Sequence, residues 1–185
     1  FPGAHKYAGG VLAHNGKIYA IPNRAQHILE VDPETNATTL IDLGPAILEA
    51  ADSRAKKFQW NGGAVAPNGK IYGIPWGAQS VLEFDPQTRI VSTLGNLSND
   101  GESWAGAVLL PNGRILGVPY RANSILEIDP ETRTVTTWGD LSPYRDKNGT
   151  DWTQDDACAS NTGWRGAAFV PSTGLVYAYP WGRGT

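Results

Sequence analysis

The chain has little of the chemistry on which metal and thiol sites depend. It contains no methionine, one cysteine and three histidines among its 185 residues. The lone Cys158 cannot form a disulfide within the chain, although it could pair with a partner chain in an oxidising compartment. His5, His14 and His27 do not have the spacing of metal ligands. We therefore predict no cofactor.

Long apolar runs and an excess of basic residues are also absent. No apolar run approaches the roughly 18 residues of a membrane-spanning helix, and no signal peptide is recognisable. The formal net charge of −3 gives no electrostatic basis for binding nucleic acid or an anionic membrane. Because the sequence starts at Phe1 and lacks Met, we expect a processed product, an excised fragment or a partly read sequence.

What the chain does contain is a repeat of short apolar segments separated by turn signals. In the clearest copy, four predicted strands follow one another: Gly63–Ala66, Ile71–Ile74, Val81–Phe84 and Ile90–Leu94. Asn68-Gly69 is typical of a hairpin whose two turn residues both tolerate positive φ. In the D-P-x-T segment that starts at Asp85, the aspartate can accept a hydrogen bond from the backbone two residues on.

The same features recur after four glycines, which are Gly9, Gly62, Gly106 and Gly166. An aromatic residue stands two positions before each glycine, and we expect these aromatics to be packed: Tyr7, Trp60, Trp104 and Trp164. Such self-similarity predicts an all-β fold, a β-propeller with four-stranded antiparallel blades and about three and a half blades in this chain. The predicted blades cover about residues 7–43, 60–94, 104–138 and 164–185 of a single propeller or propeller fragment, with insertions at 44–59 and 142–163.

The repeat core N-G-K-I-Y-G-I-P…S-V-L-E-F-D-P-Q-T resembles a kelch-type propeller repeat over most of each unit. The pattern is divergent, because the paired glycines of kelch repeats are replaced by Ile74-Pro75 and Val118-Pro119. The tryptophan that kelch repeats carry a few residues after the D-P-x-T turn is replaced by Val91 and Val135. The resemblance implies a propeller, a fold that hosts many functions.

The fourth unit supplies only two predicted strands, Gly166–Val170 and Leu175–Tyr179. An open arc would expose an unpaired sheet edge, which natural proteins avoid. We therefore expect a ring of six to eight blades, completed by more of the same chain or by another subunit. A closed four-bladed ring is the alternative. The isolated 185 residues are expected to associate, aggregate or fold poorly.

Antiparallel strands also sort the loops between two faces. The N-G and D-P-x-T turns share one face, and the second-to-third loops, blade connections and both insertions share the other. The first insertion contains an Ala- and Leu-rich stretch, Ala46–Ala51, that favours a helical turn or two. Length variation on one face of a repeat protein indicates the binding face.

The candidate binding residues on that face are aromatic rings after the strand-ending prolines, with arginines nearby: Trp76, Tyr120, Trp181, Arg24 and Arg121. Rings and arginine forks of this kind suit a sugar, a peptide or an acidic ligand. The competing interpretation is that the rings cover the blade junctions.

We predict a non-enzymatic binding or scaffolding propeller that recognises a protein or glycan partner through its loop-rich face. One alternative is a propeller hydrolase or lyase with a site at the axial mouth, and another is a structural subunit of an extracellular assembly. No catalytic residue is assigned, because no acid–base pair or nucleophile elbow is recognisable.

Three further groups of residues are candidates for simpler roles. Asp146, Asn148 and Asp151 have some features of a calcium loop, although a solvated acidic loop explains them as well. Three N-glycosylation sequons, which start at Asn36, Asn96 and Asn148, favour a secreted or lumenal location without establishing it. Mid-strand glutamates (Glu30, Glu83 and Glu127) face strands that open with Lys17, Lys70 and Arg114, which predicts exposed cross-strand ion pairs.

Overall fold

The computed structural model describes residues 5–51, 59–97, 104–141 and 163–181, and almost all of its regular structure is antiparallel β-sheet. Three sheets have four strands each in chain order, and a fourth sheet has two. The strands are β1 (Tyr7–Leu12), β2 (Ile18–Pro22), β3 (His27–Val31), β4 (Thr38–Asp42), β5 (Trp60–Val65), β6 (Ile71–Pro75), β7 (Val81–Asp85), β8 (Ile90–Leu94), β9 (Trp104–Leu109), β10 (Ile115–Pro119), β11 (Ile125–Asp129), β12 (Thr134–Trp138), β13 (Gly163–Val170) and β14 (Leu175–Trp181). The prediction of an all-β chain with four-stranded blades is confirmed.

One short helix, α1 (Pro45–Ala51), interrupts the strands of the described residues. It has seven residues and lies where the Ala- and Leu-rich stretch predicts a helical turn or two. No helix in the described part of the chain has the length and apolar character needed to cross a bilayer.

The N-G turns differ in conformation from the prediction. Only their glycines have positive φ, as at Gly69 (φ +81°), while the preceding asparagines do not. The Gly69 N–H donates to the Ala66 carbonyl and the Ala66 N–H donates to the Lys70 carbonyl, both at 2.9 Å. This is a four-residue turn that ends in a left-handed glycine. The reason is the length of the loop: three residues separate the hydrogen-bonded Ala66 and Lys70, and such loops use a type I turn followed by one left-handed residue.

The D-P-x-T turns follow the prediction. In each, the aspartate side chain accepts backbone hydrogen bonds, as where Gln87 N–H donates to Asp85 Oδ1 over 2.9 Å. The residue after each threonine then takes the left-handed conformation, at φ values of +57°, +60° and +55° for Asn36, Arg89 and Arg133. This conformation determines where the two arginine side chains leave the turn.

The innermost strands β1, β5, β9 and β13 lie side by side in chain order, and glycines allow their close approach. β5 begins at Trp60, before the predicted Gly63, because a bulge between Trp60 and Gly63 shifts its register against β6. Gly62 occupies this bulge with φ +75°, and a Cβ there would lie 2.9 Å from Gly106 Cα. A side chain at this position would therefore separate the blades.

The hydrophobic core lies between the blades, because the second strands of the three complete blades bury most of their side chains against neighbouring sheets. The large position of β6 is filled by Tyr72, which is buried between blades two and three. The small position, Gly73, receives Ile21 of blade one, and Gly117 receives Ile74 of blade two, each with a closest approach of 3.3 Å to the Cβ that glycine lacks. The alternation of large and small residues thus allows adjacent sheets to interdigitate.

Three of the four aromatics at the blade entries belong to this packing, as expected, whereas Tyr7 is only partly buried. Trp60 and Trp104 are buried, and each indole N–H donates over 2.8 Å to a backbone carbonyl in the same blade, Ser80 or Ser124. Trp164 packs against the core between blades three and four.

Several predictions fall on residues outside the described ranges. These are the calcium candidates Asp146, Asn148 and Asp151, the sequon at Asn148, Cys158 and nearly all of the insertion at 142–163. The other two sequon asparagines, Asn36 and Asn96, are exposed.

Candidate functional site

The loops between second and third strands are held by an unusual convergence of backbone hydrogen bonds. In blade two, the N–H groups of Trp76, Gly77 and Ala78 all donate to the carbonyl of Gln59, at 2.9, 3.1 and 3.1 Å. In blade one, the N–H groups of residues 23–25 converge in the same way on the Lys6 carbonyl. The chain after Pro22 and after Pro75 is therefore wrapped around the residue that precedes the first strand of the same blade.

Two of the predicted binding rings lie side by side, and one of them, Trp76, stands on this backbone frame. Trp76 of blade two and Tyr120 of blade three are both half-buried, and their rings stack with 4.3 Å between centroids and 29° between planes. Offset stacking of this kind contributes about 0.5–1.5 kcal/mol beyond the area that the rings bury. The pair spans the junction between the two blades.

Two arginines flank the stacked pair. Arg165 of β13 places its Cζ 5.9 Å from the Trp76 centroid and 5.7 Å from the Tyr120 centroid. Arg121 places its Cζ 6.0 Å from the Tyr120 centroid. All three distances are within the range in which an aromatic face attracts a cation. The site therefore joins residues from blades two, three and four.

Arg165 is the member of this site that sequence analysis missed. It directly precedes the anchor Gly166, and the equivalent residues of the first three units are Ala8, Asn61 and Ala105. A long cation at a position otherwise held by small residues was the available signal. It could be used only by comparing the repeats position by position.

Blade four supports the tyrosine from one side. A Cβ added at Gly163 would collide with the Tyr120 carbonyl oxygen and would also meet the Tyr120 ring. The start of β13 therefore packs directly against the loop that carries Tyr120 and Arg121.

The other two predicted binding residues are Arg24 of blade one and Trp181 at the end of β14. Arg24 is exposed in the corresponding loop of blade one. There the position equivalent to Trp76 is Asn23, which is buried and donates its side-chain amide to the Trp60 carbonyl over 2.7 Å. Trp181 ends β14, and its side chain is outside the described part of the structure.

The opposite face carries the predicted ion pairs, but in blades one and two the glutamate is buried. Lys17 Nζ lies 2.8 Å from Glu30 Oε1, and the Glu30 side chain is only 5% exposed. The reason is a second cation from the next blade: Arg89 Nη1 lies 2.8 Å from Glu30 Oε2. In the same way, Arg133 of blade three lies 3.0 Å from Glu83 of blade two. We call each such contact an interblade latch.

The latch changes the acidity of the groups it contains. Burial raises the pKa of Glu30, but hydrogen bonds from Lys17 and Arg89 outweigh this effect and hold that pKa below its usual value. In blade two, Tyr72 donates its hydroxyl to Glu83 Oε2 over 3.0 Å, and burial raises the pKa of Tyr72 to about 12. Glu30 is thus kept ionised and Tyr72 neutral at physiological pH.

Among the residues that the structure describes, no group of three or more His, Cys, Asp or Glu side chains could hold a metal ion. The described part of the loop-rich face carries aromatic rings and arginines.

The four sheets and their interblade cores define the chain as a β-propeller. It belongs to a family described as "Repeat of unknown function (DUF6923)", whose model matches residues 6–175. No curated protein matches the sequence.

Solved structures with similar folds include several enzymes. The virginiamycin B lyase of Staphylococcus aureus is 13% identical with a TM-score of 0.66, and the match covers 97% of this chain and 57% of the lyase. A streptogramin B lyase matches with 14% identity and a TM-score of 0.65, over 96% of this chain and 49% of that one. Hydrazine synthase of Kuenenia stuttgartiensis matches with 15% identity and a TM-score of 0.61, over 94% and 41%. At these identities the likeness shows the fold alone, and the chain spans about half the length of the lyases.

Proposed function

We propose that this propeller is a non-enzymatic binding or scaffolding module that recognises a protein or glycan partner through its loop-rich face. The observation that carries the proposal is the stacked Trp76–Tyr120 pair with Arg121 and Arg165 beside it. Aromatic and arginine side chains are the types most enriched at binding hot spots.

The geometry of the pair supports recognition in two ways. The rings are already stacked and held on a hydrogen-bonded backbone, so little side-chain freedom remains to be lost on binding. Their half-exposed surface offers an apolar plane to the C–H face of a sugar or to an apolar peptide side chain. The guanidinium groups next to that plane offer forked donors to a carboxylate.

The enzyme hypothesis is retained as a second candidate because two of the structural neighbours are lyases. Its site would be at the axial mouth of the same face. A role as a structural subunit of an extracellular assembly is a third candidate. The kelch-like nature of the repeat is also a proposal. It rests on the N-G and D-P-x-T turns and on the second and third strands between them.

A photo-crosslinking experiment tests which face binds. A benzophenone amino acid is placed either at Asn123, which is exposed in a second-to-third loop, or at Gln87, which is exposed in a D-P-x-T turn. The purified proteins are irradiated with a microarray of neutral and acidic glycans and with immobilised extracellular protein extract. We expect adducts from position 123 and none above background from position 87. Adducts from position 87 alone would contradict the proposal.

Substitutions then test the residues against the ligand that is captured. Trp76→Ala should weaken binding by about 30-fold, as for a hot-spot aromatic worth about 2 kcal/mol. Trp76→Tyr keeps a ring in the stack and should retain most of the affinity. Arg121→Lys keeps the charge but loses the planar fork, so it separates a bidentate contact from simple attraction.

Melting temperatures of the same variants distinguish binding from packing. If the rings only cover the blade junction, Trp76→Ala lowers the melting temperature and leaves affinity for the captured ligand unchanged. That result would reject the assignment of Trp76 to the binding site.

A further inference from the structure

Arg121 differs from the arginines of the turn face in the group that it contacts. Arg89, Arg114 and Arg133 each have a guanidinium nitrogen within 3.0 Å of a glutamate oxygen. Arg121 forms no ion pair with a described residue, and its contact is the ring of Tyr120, with 6.0 Å between Cζ and centroid. Attraction to a ring leaves the planar fork of N–H donors available, because it does not use them to bind an anion.

A second cation lies beside the same ring. Arg165 has its Cζ 5.7 Å from the Tyr120 centroid, so guanidinium groups from blades three and four both approach one phenol. A ligand that brings negative charge to this place gains favourable electrostatic energy, although the chain as a whole has a formal net charge of −3. The local charge therefore favours an acidic ligand.

The backbone of the loop that carries Trp76 limits how such a ligand can be held. The N–H groups of Trp76, Gly77 and Ala78 already donate to the Gln59 carbonyl. A peptide that binds as an added strand needs free main-chain groups on its receptor, and these three donors are used. Recognition at this loop therefore depends on side chains. A sugar ring suits such a site, because its C–H groups meet the negative face of an aromatic ring without main-chain hydrogen bonds.

We propose that Trp76, Tyr120 and Arg121, which we call the ring–arginine site, bind a uronic-acid residue of an acidic glycan. The C–H face of the sugar lies on the exposed part of the two rings, and its carboxylate accepts a forked pair of hydrogen bonds from Arg121. The inference rests on the proposed function, because it needs the loop-rich face to be the binding face, and it names the class of ligand.

Blade one contains a natural control for this assignment. Arg24 occupies the position of the repeat that is equivalent to Arg121, and it is exposed. The residue before it is the buried Asn23, whereas the residue before Arg121 is the half-buried Tyr120. The chain therefore offers the same cation in equivalent loops, with an aromatic ring before it in only one of them.

Isothermal titration calorimetry with the 185-residue chain tests the ligand class. The probes are oligomers of galacturonic, glucuronic and mannuronic acid, each also prepared as a methyl ester that keeps the sugar ring and removes the charge. We expect at least one acid to bind about tenfold more tightly than its ester, since charge-assisted forked contacts are the strong ones. An oligoglutamate of equal charge is the peptide control and should bind more weakly than that acid.

Variants then assign the preference for the acid to one side chain. Arg121→Gln should bring the affinities for acid and ester within about twofold of each other, because the fork is lost. Arg121→Lys keeps the charge without the fork and should retain only part of the preference. Arg24→Gln removes the same charge at the equivalent position and should leave the preference unchanged. Trp76→Ala should weaken acid and ester together, since both use the rings.

Several outcomes would overturn the inference and leave the proposed function intact. Equal binding of acids and esters, or no binding of any uronate by a chain that captures another ligand at position 123, would reject the uronic acid. An equal loss of preference in Arg24→Gln and Arg121→Gln would show diffuse attraction to charge. Tightest binding of oligoglutamate would assign an acidic protein as the partner. Failure of the proposed function is distinguishable, because adducts would then form from position 87 alone.

Discussion

At the scale of single residues, the glycines with positive φ serve two different purposes. Gly16 ends an N-G turn at φ +79° and has no neighbour within 4 Å of a would-be Cβ. Gly62 has nearly the same φ, +75°, but backbone atoms of Gly106 lie beside it. Gly16 is needed only because it adopts a positive φ. Gly62 is also needed because a side chain there would collide with the backbone of Gly106.

Alanine substitutions should separate these two effects. Gly16→Ala is expected to lower the free energy of unfolding by about 1 kcal/mol, the strain of a left-handed alanine. Gly62→Ala should lower it by about 3 kcal/mol or more, because the contacting atoms belong to a neighbouring strand that cannot move cheaply. Urea denaturation of both variants measures the difference. Equal losses would show that blade contact at Gly62 adds nothing to the strain.

At the scale of elements, each sheet is connected to the next by the latch as well as by its apolar core. The Glu30 carboxylate accepts from a lysine of its own blade and from Arg89 of the following one. Since its pKa is lowered in the folded state, its stabilising contribution is present above the unfolded value, about 4.3. The contribution is lost as pH falls through the still lower folded value.

The latch should therefore open in acid. Arg89→Gln is expected to lower the free energy of unfolding by about 1 kcal/mol at pH 7, a figure reduced for the half-exposed arginine. The difference from the parent chain should shrink below about pH 4 as Glu30 is protonated. Thermal unfolding from pH 7 to pH 3 measures it, with Glu30→Gln and the double variant to isolate the coupling. A difference that stays constant over this range would assign the effect of Arg89 to packing.

The limit of sequence-based prediction is also visible at the scale of strands and turns. The four strands per blade, the D-P-x-T turns and the Lys17–Glu30 pairing follow from short-range patterns. The burial of Glu30 does not, because it depends on Arg89 of another blade, and no local pattern states which turn faces which strand. The N-G turns were placed correctly but given the wrong φ at asparagine, since the asparagine lies in a three-residue loop in which only the last residue is left-handed. Arg165 was missed because only the closed packing of blades brings β13 to Trp76 and Tyr120.

At the scale of the whole molecule, the arc of blades presents different surfaces in different directions. The loop-rich face offers rings and cations, the turn face offers paired charges, and the edge strand β14 exposes Tyr177 and Tyr179. This exposed edge is the surface that should govern association of the 185 residues.

We expect the 185-residue chain to associate reversibly through this edge. Sedimentation velocity should show a concentration-dependent increase in mean mass. Tyr177→Lys combined with Tyr179→Lys places charges on the edge strand and should shift the chain toward the monomer. Leu12→Lys adds a charge at another exposed apolar residue and serves as the control. A parent chain that stays monomeric at all concentrations would refute this expectation.

The convergence of three N–H groups on one carbonyl has a consequence for which side chains these loops can carry. The frame that follows Pro22 and Pro75 is built from backbone atoms alone, so it does not depend on which side chain it carries. The slot holds a buried amide at Asn23 and a half-buried indole at Trp76. A substitution in such a slot exchanges the side chain while the loop keeps its shape. Under the proposed binding role, slots with an accessible side chain would allow ligand preference to change one blade at a time without altering the fold.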